Sequence, residues 1–161
     1  MHHLSKNLKL LALIPVFFFL TACPVEKRAA LKTPAELLAL QTRTFDGNKD
    51  PSLRAVVSVF QDLGYIIQTA DSNTGLITAK SPTEASLSFF GRNMKDTKVT
   101  ATIEQVSNTK TRVRLNFVQS KRFSSEYGMN QENEQPIYDP NVYQDAFAKI
   151  RNAIFLRKNI N

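Results

Sequence analysis

The chain holds few side chains of the kinds used in nucleophilic or metal-assisted catalysis. Its single cysteine is Cys23, and its two histidines are His2 and His3. If the segment before Cys23 is removed, no histidine remains for a Ser-His-Asp or Cys-His nucleophile or for a zinc site. Carboxylates stay available for acid–base chemistry, but the 14 Asp and Glu residues are scattered through predicted turns, helix starts and polar faces. We therefore predict that the protein is not an enzyme and holds no metal or cofactor.

The N-terminal segment has the layout of a secretory signal. Lys6 and Lys9 precede an apolar run over residues 10–20, and small residues and Cys23 follow it. The run is too short for a transmembrane helix, which needs about 20 apolar residues, and Pro15 interrupts it. These features predict a cleaved signal peptide over residues 1–22. The alternative is a free Cys23 thiol after an ordinary cleavage site, and an unpaired thiol is a liability in an oxidising compartment.

The residues Leu20-Thr21-Ala22-Cys23 resemble the lipobox of bacterial lipoproteins. The resemblance implies that Cys23 receives a diacylglycerol and a further acyl chain such as palmitate, and two or three chains anchor a protein far more durably than one. Aspartate after the cysteine commonly retains such proteins in the inner membrane, and this chain has Pro24 there. The resemblance therefore implies an outer-membrane lipoprotein whose domain faces the periplasm.

The length and charge of the remaining chain are those of one modestly basic domain. Removing residues 1–22 leaves 161 − 22 = 139 residues, a length typical of a single core. Two of the 21 basic residues and none of the 14 acidic ones are removed, so the remainder carries 19 − 14 = +5. This charge suggests contact with anionic lipids, cell-wall polymers or an acidic protein face. Nucleic acid is not expected, because no basic-aromatic motif is present.

The first half of the predicted domain contains one strand and one well-defined helix. Residues 23–40 are predicted to be the lipidated N-terminus and a tether with a helical turn over 34–40, and residues 41–158 to be the domain. Residues 41–46 alternate as a strand does. Helix 50–63 has Asp50 as its N-cap, an apolar stripe at three- and four-residue spacing, and Gly64 as a left-handed C-cap.

The following segments predict two hairpins. Residues 65–70 and 76–80 are predicted strands joined by a turn, whereas residues 81–97 fit no single element. Apolar residues alternate again over 99–103 and 113–117. If Val106 pairs with Lys110, the residue numbers of each cross-strand pair sum to 216. Ile103 then lies opposite Val113, and the apolar partners stay on one face of the hairpin.

The last part of the chain is predicted to be a loop and a helix. Residues 119–138 form a long polar connection, and Asp139 then caps a helix that reaches about residue 157. The element order is strand, helix, four strands, helix. It predicts an α+β two-layer sandwich, with a mainly antiparallel sheet of about five strands and two helices packed on one face.

One stretch of this pattern resembles known envelope lipoproteins. The segment Phe60-Gln61-Asp62-Leu63-Gly64-Tyr65, followed by Gly75-Leu76-Ile77-Thr78-Ala79 and preceded by the strand of Arg43 and Phe45, looks like a unit of small outer-membrane lipoproteins. It is similar to the helix-grip domains of lipoprotein C of the outer-membrane β-barrel assembly machinery. The resemblance covers about residues 42–80, is architectural, and carries over no catalytic residue.

The candidate binding residues lie in the long polar connection and on the second hairpin. Aromatic and apolar side chains without a periodic pattern suggest an interface. Together with two hairpin arginines, the candidate set is Phe123, Tyr127, Met129, Ile137, Tyr138, Arg112 and Arg114. We expect the two arginines, with Lys121 and Arg122, to form a solvated face of the sheet. The alternative is a basic strip that contacts either phosphate-bearing lipid or an acidic partner. Phe89 and Phe90 are expected to cover one end of the core, with an exposed anchor for a partner as the alternative.

These features favour a non-catalytic structural or accessory subunit of an envelope assembly. Examples are the outer-membrane complex of a secretion system, including type IV systems and their multi-subunit rings, and the machinery of outer-membrane protein assembly. The alternative is a periplasmic lipoprotein that binds a lipid or a cell-wall ligand. The expected partners are the membrane, through acylated Cys23, and other envelope proteins.

Overall fold

The computed structural model describes residues 32–125 and 127–160, with side chains through residue 157. The predicted signal peptide, Cys23 and the tether up to residue 31 lie outside the described residues. Among the residues described, no helix is both long enough and apolar enough to span a bilayer.

Three helices and seven strands make up the described part of the chain. In chain order they are α1 (Pro34–Gln41), β1 (Thr42–Asp46), α2 (Lys49–Asp62), β2 (Ile66–Asp71), β3 (Leu76–Lys80), β4 (Glu84–Ser88), β5 (Gly91–Ser107), β6 (Lys110–Ser124), β7 (Asn130–Pro136) and α3 (Pro140–Ile160).

All seven strands join one antiparallel sheet whose centre is the long β5–β6 hairpin. Toward the hairpin turn, β1 pairs with β6, and β3 and then β2 extend the sheet beside β5. Toward the open end of the hairpin, β4 pairs with β5 and β7 pairs with β6. We call the first part the near half of the sheet. The far half consists of β4, β7 and residues 91–97 and 119–124.

The fold is α+β, as predicted, with α2 and α3 packed together on one face of the near half. Alternate residues of β5 and β6 point toward these helices, and Ile103 and Leu115 among them are completely buried. We call this side of the sheet the helix face and the other side the open face. The stripe of α3 follows the prediction, because Tyr143, Phe147 and Ile150 all lie in the core.

The start of α2 differs from the prediction. The helix begins at Lys49 after an extended Asn48, so Asp50 lies in its first turn and is not the N-cap. The Lys49 amide donates to the side chain of Gln105 on β5 at 2.6 Å, and this tertiary contact supplies the partner that a local cap supplies elsewhere. The predicted end is confirmed, since Gly64 follows the helix with φ +82. Asp139 does cap α3, because its Oδ1 accepts from the Asn141 amide at 2.9 Å.

The predicted register of the long hairpin is confirmed over residues 92–105. Ile103 pairs with Val113, Ala101 with Leu115 and Val99 with Phe117. The predicted pairing of Val106 with Lys110 is wrong, because the register shifts between Gln105 and Ser107, and Ser107 pairs with Lys110. The side-chain amide of Gln105 donates to the backbone carbonyls of both Ser107 and Lys110, and these bonds stabilise the shifted register.

The polar segments also differ from the prediction. Residues 81–97, which fit no single element, contain β4 and the first part of β5, so Gly91 begins a strand. The predicted loop over 119–138 contains the end of β6 and all of β7. Both segments are strands without an apolar face, and alternation therefore gives no signal for them.

Helix α1 lies beside the open face, outside the predicted two-helix layer. Its Thr33 and Glu36 form a capping box. At its end Leu40 packs against the core, and the buried Gln41 side chain bonds Asn116 and Arg114, both at 3.3 Å. The compact unit that contains α1 and the sheet begins at Lys32.

Candidate functional site

The far half of the sheet projects beyond the helices. Val99 on β5 and Phe117 on β6 are the last helix-face residues that are buried, and every residue of β4 and β7 is exposed. From Val99 to Gly91 the strand runs 99 − 91 = 8 residues, which is about 26 Å at about 3.3 Å per residue. A part of the sheet that builds no core is therefore held in place by strand pairing.

The end of the far half carries a cluster of exposed apolar side chains, which we call the tip. Its members and their exposed fractions are Phe89 (97%), Tyr127 (96%), Leu87 (82%), Phe90 (76%) and Met129 (61%). The rings of Phe89 and Phe90 meet edge to face, with centroids 5.2 Å apart.

Two turns bring the tip together. Phe89 and Phe90 form the two-residue turn between β4 and β5, and residues 125–129 connect β6 to β7. The turns are adjacent because Arg92 pairs with Ser124. A Cβ added to Gly91 would lie 2.3 Å from the Ser124 carbonyl oxygen, so the backbones of the two turns touch there.

A groove of about 520 Å³ crosses the helix face of the far half. The registers of the four strands place its helix-face side chains in two rows. One row runs Glu84, Lys95, Lys121, Asn133, and the other runs Ser86, Asn93, Phe123, Gln131. All eight residues line the groove, and Glu84 is the one acid among its lining residues.

The open face of the far half is closed by ion pairs. Asp96 is 2% exposed, and its carboxylate lies 2.7 Å from Arg122 and 3.4 Å from Lys80. Nearby, Lys98 donates to Glu134 of β7 at 2.5 Å. The hydrogen bond and charge of Glu134 raise the pKa of Lys98 above its ordinary value. These contacts tie β3, β5, β6 and β7 together on the face opposite α2 and α3.

The structure separates the predicted interface residues into two groups. Phe123, Tyr127 and Met129 belong to the far half, in the groove or at the tip. Arg112, Arg114 and Tyr138 lie on the near half, where Arg112 is 3.7 Å from Glu104 and Arg114 bonds Gln41. Ile137 packs against the core, and its carbonyl accepts from the Tyr143 hydroxyl at 3.0 Å.

The expectation that Phe89 and Phe90 cover the core is wrong, because both are solvent-exposed at the end of the far half. Their alternative role, an exposed anchor, agrees with this position. Sequence reasoning also missed Asn93, Lys95 and Gln131, which line the groove. The one available signal was the pattern Ser88-Phe-Phe-Gly91, because serine at the first position and glycine at the fourth are typical of a type I turn.

The described residues contain no group of three or more acidic, cysteine or histidine side chains placed to hold a metal ion.

The comparison with known proteins finds a likeness of low similarity among solved structures. No family model matches the sequence, and no curated protein matches it. Among solved structures, the chain is similar to the crystal structure of a DUF4468 family protein from Bacteroides ovatus, with 12% sequence identity and a TM-score of 0.39. The match covers 70% of this chain and 84% of that chain. A likeness of this size carries no functional conclusion.

Proposed function

We propose that this protein is a non-catalytic lipoprotein of the bacterial outer membrane and serves as an accessory subunit of an envelope assembly. In this proposal acylated Cys23 anchors the chain, and the tip binds a neighbouring protein. The observation that carries the proposal is the tip itself, where five large apolar side chains stand more than half exposed.

The tip has the composition of a binding surface. Monomeric proteins rarely leave large apolar side chains gathered and uncovered, and aromatic anchors dominate the energy of protein interfaces. The tip residues make no contribution to the core, because the last buried side chains of the strands lie far behind them. Covering them with a partner stabilises the complex by about 25 cal/mol for each Å² of apolar surface that leaves water.

The charge of the far half favours a protein partner over a lipid surface. Residues 84–97 and 119–136 carry four basic and five acidic side chains. Adsorption to anionic lipid depends on an excess of basic residues near the surface, and this part of the chain has none. An apolar pocket on another envelope protein needs no such excess.

Crosslinking and affinity purification from the native envelope test this proposal. The wild-type chain is expected to recover a stoichiometric protein partner, and the double variant Phe89→Ser, Phe90→Ser is expected to lose it without a change in melting temperature. Phe155→Ser is the matched control, because Phe155 is an exposed phenylalanine (63%) on α3, away from the far half.

Two outcomes would contradict the proposal. The first is recovery of the same partner by the tip variant and the wild type. The second is the absence of any protein partner together with loss of vesicle binding in the tip variant, which would assign the tip to a lipid surface.

A further inference from the structure

We infer that the groove on the helix face of the far half is a binding site for an anionic saccharide. This inference goes beyond the proposed protein-binding role and uses none of the tip residues. It is drawn from the two rows of side chains that the strand registers place side by side.

The first row contains an unusual pair of like charges. Lys95 of β5 lies directly opposite Lys121 of β6 on the same face of the sheet. Like charges at directly opposed positions destabilise a sheet. Neither lysine forms an ion pair with a carboxylate in the part of the chain that the structure describes. A negatively charged group bound between the two ammonium groups would remove this repulsion.

The position of the two lysines argues against a purely protective role. Lysines on edge strands discourage sheet-to-sheet aggregation, but β5 and β6 are the central strands of the far half, between β4 and β7. The edges here are polar without these lysines, since β7 has the sequence Asn-Gln-Glu-Asn-Glu-Gln-Pro. The paired lysines are consequently not needed to keep the edges unpaired.

The second row supplies what a sugar ring requires. Phe123 is half-buried in the floor of the groove, with Asn93 and Gln131 as its direct cross-strand neighbours. The apolar C–H face of a pyranose packs on an aromatic ring. The side-chain amides on either side offer both donors and acceptors to hydroxyl groups.

The size of the groove fits a short ligand. Its volume of about 520 Å³ lies within the range of small-molecule sites, about 300 to 1,000 Å³. A sugar carrying a carboxylate or phosphate places its ring on Phe123 and its anionic group one row away, between Lys95 and Lys121. Two envelope sources share this chemistry, namely fragments of the cell wall and the core sugars of lipopolysaccharide.

Calorimetric titration of the purified full-length protein in neutral detergent tests the inference. The probes are the peptide-free disaccharide of N-acetylglucosamine and N-acetylmuramic acid, whose lactyl carboxylate is free, the lipid-free core oligosaccharide of lipopolysaccharide, and neutral, fully N-acetylated chitotetraose. At least one anionic probe is expected to bind, and whichever binds identifies the source, whereas chitotetraose is expected to bind at least tenfold more weakly.

Matched variants show whether binding uses the groove. Lys95→Gln and Lys121→Gln are each expected to weaken binding about tenfold, as the loss of a charge-assisted hydrogen bond does, and Phe123→Leu is expected to weaken it as well. The control is Lys110→Gln, because Lys110 is an exposed lysine at the start of β6, the strand that also holds Lys121. The double lysine variant is expected to melt no lower than the wild type, because it removes a repulsive pair.

The inference is overturned if no anionic probe binds, if chitotetraose binds equally well, or if the double lysine variant binds as the wild type does. None of these results bears on the tip, because partner recovery is measured separately with variants of Phe89 and Phe90.

Discussion

Asp96 shows how a single residue can hold together a part of the sheet that has no core. It is buried on the open face, opposite Ser120, at the junction of the near and far halves. Its carboxylate bridges Lys80 of β3 and Arg122 of β6. Three strands are thereby joined by one carboxylate where apolar packing ends.

Asp96→Asn is expected to lower the free energy of unfolding by about 1 to 3 kcal/mol, because the change leaves Arg122 and Lys80 without their charged acceptor. Chemical denaturation measures the effect. Glu104→Gln is the control, since its pair with Arg112 is exposed on both sides, and the expected change is within about 0.5 kcal/mol. Equal unfolding midpoints for Asp96→Asn and the wild type would contradict this role.

Sequence reasoning reached only some of the residues that matter. The buried apolar partners of the hairpin were predicted because alternation marks them, as with Ile103 and Val113. Asp96 was not singled out, because an acid between two polar residues reads as exposed and only the folded sheet brings Arg122 and Lys80 beside it. Tyr127 and Met129 were predicted as interface residues from the lack of a burial pattern around them.

At the scale of elements, the same sheet is predictable in one half and not in the other. The near half packs against α2 and α3, so its strands need an apolar face that can be read from the sequence. In the described part of the chain no helix packs against the far half, and β4 and β7, which are exposed throughout, carry no such pattern. The strands missed from the sequence, β4 and β7, thus belong to the candidate site. A strand that covers no core lacks an apolar pattern, and it also leaves its side chains exposed for binding.

Gly91→Ala is expected to loosen the far half and leave the near half unchanged. Gly91 has φ +147, and an added Cβ would meet the Ser124 carbonyl. Backbone strain of this kind costs about 1 to 3 kcal/mol. Amide hydrogen exchange should therefore speed up in β4, β7 and the strand ends beside them.

Gly128→Ala provides the comparison for this variant. Gly128 also has positive φ, +81, but nothing lies within 4 Å of its added Cβ. The expected backbone strain in Gly128→Ala is therefore only about 1 kcal/mol. Unchanged exchange in the far half of Gly91→Ala would contradict the strain expected from the Ser124 contact. An equal speeding up of exchange in the near half would show that the two halves do not open separately.

At the scale of the whole molecule, the proposed function joins a predicted anchor to a projecting surface. From Cys23 to Lys32 the chain covers 32 − 23 = 9 residues. If Cys23 is acylated as proposed, the domain therefore begins at most about 32 Å from the lipid, at about 3.6 Å per residue. The far half then adds its own projection of about 26 Å at about 3.3 Å per residue. In the proposed arrangement, the protein meets a partner only within a limited distance of the membrane.

Cys23→Ser is expected to move the protein from the membrane fraction to the soluble fraction of the envelope, because acyl chains can no longer be attached. Membrane fractionation with immunoblotting measures the distribution, and partner recovery is expected to fall with it. Phe155→Ser, which keeps Cys23, should remain in the membrane fraction. A Cys23→Ser chain that stays in the outer membrane would refute the lipid anchor.

The bare far half also has a consequence for altering this protein. The buried apolar core lies in the near half, so exchanging the side chains of the groove and the two turns of the tip is expected to have little effect on the core. Replacing the turn at Phe89 and Phe90, or the eight side chains of the two rows, offers a route to new binding specificities on an unchanged scaffold. Such a molecule separates the residues that determine its stability from those that determine what it recognises.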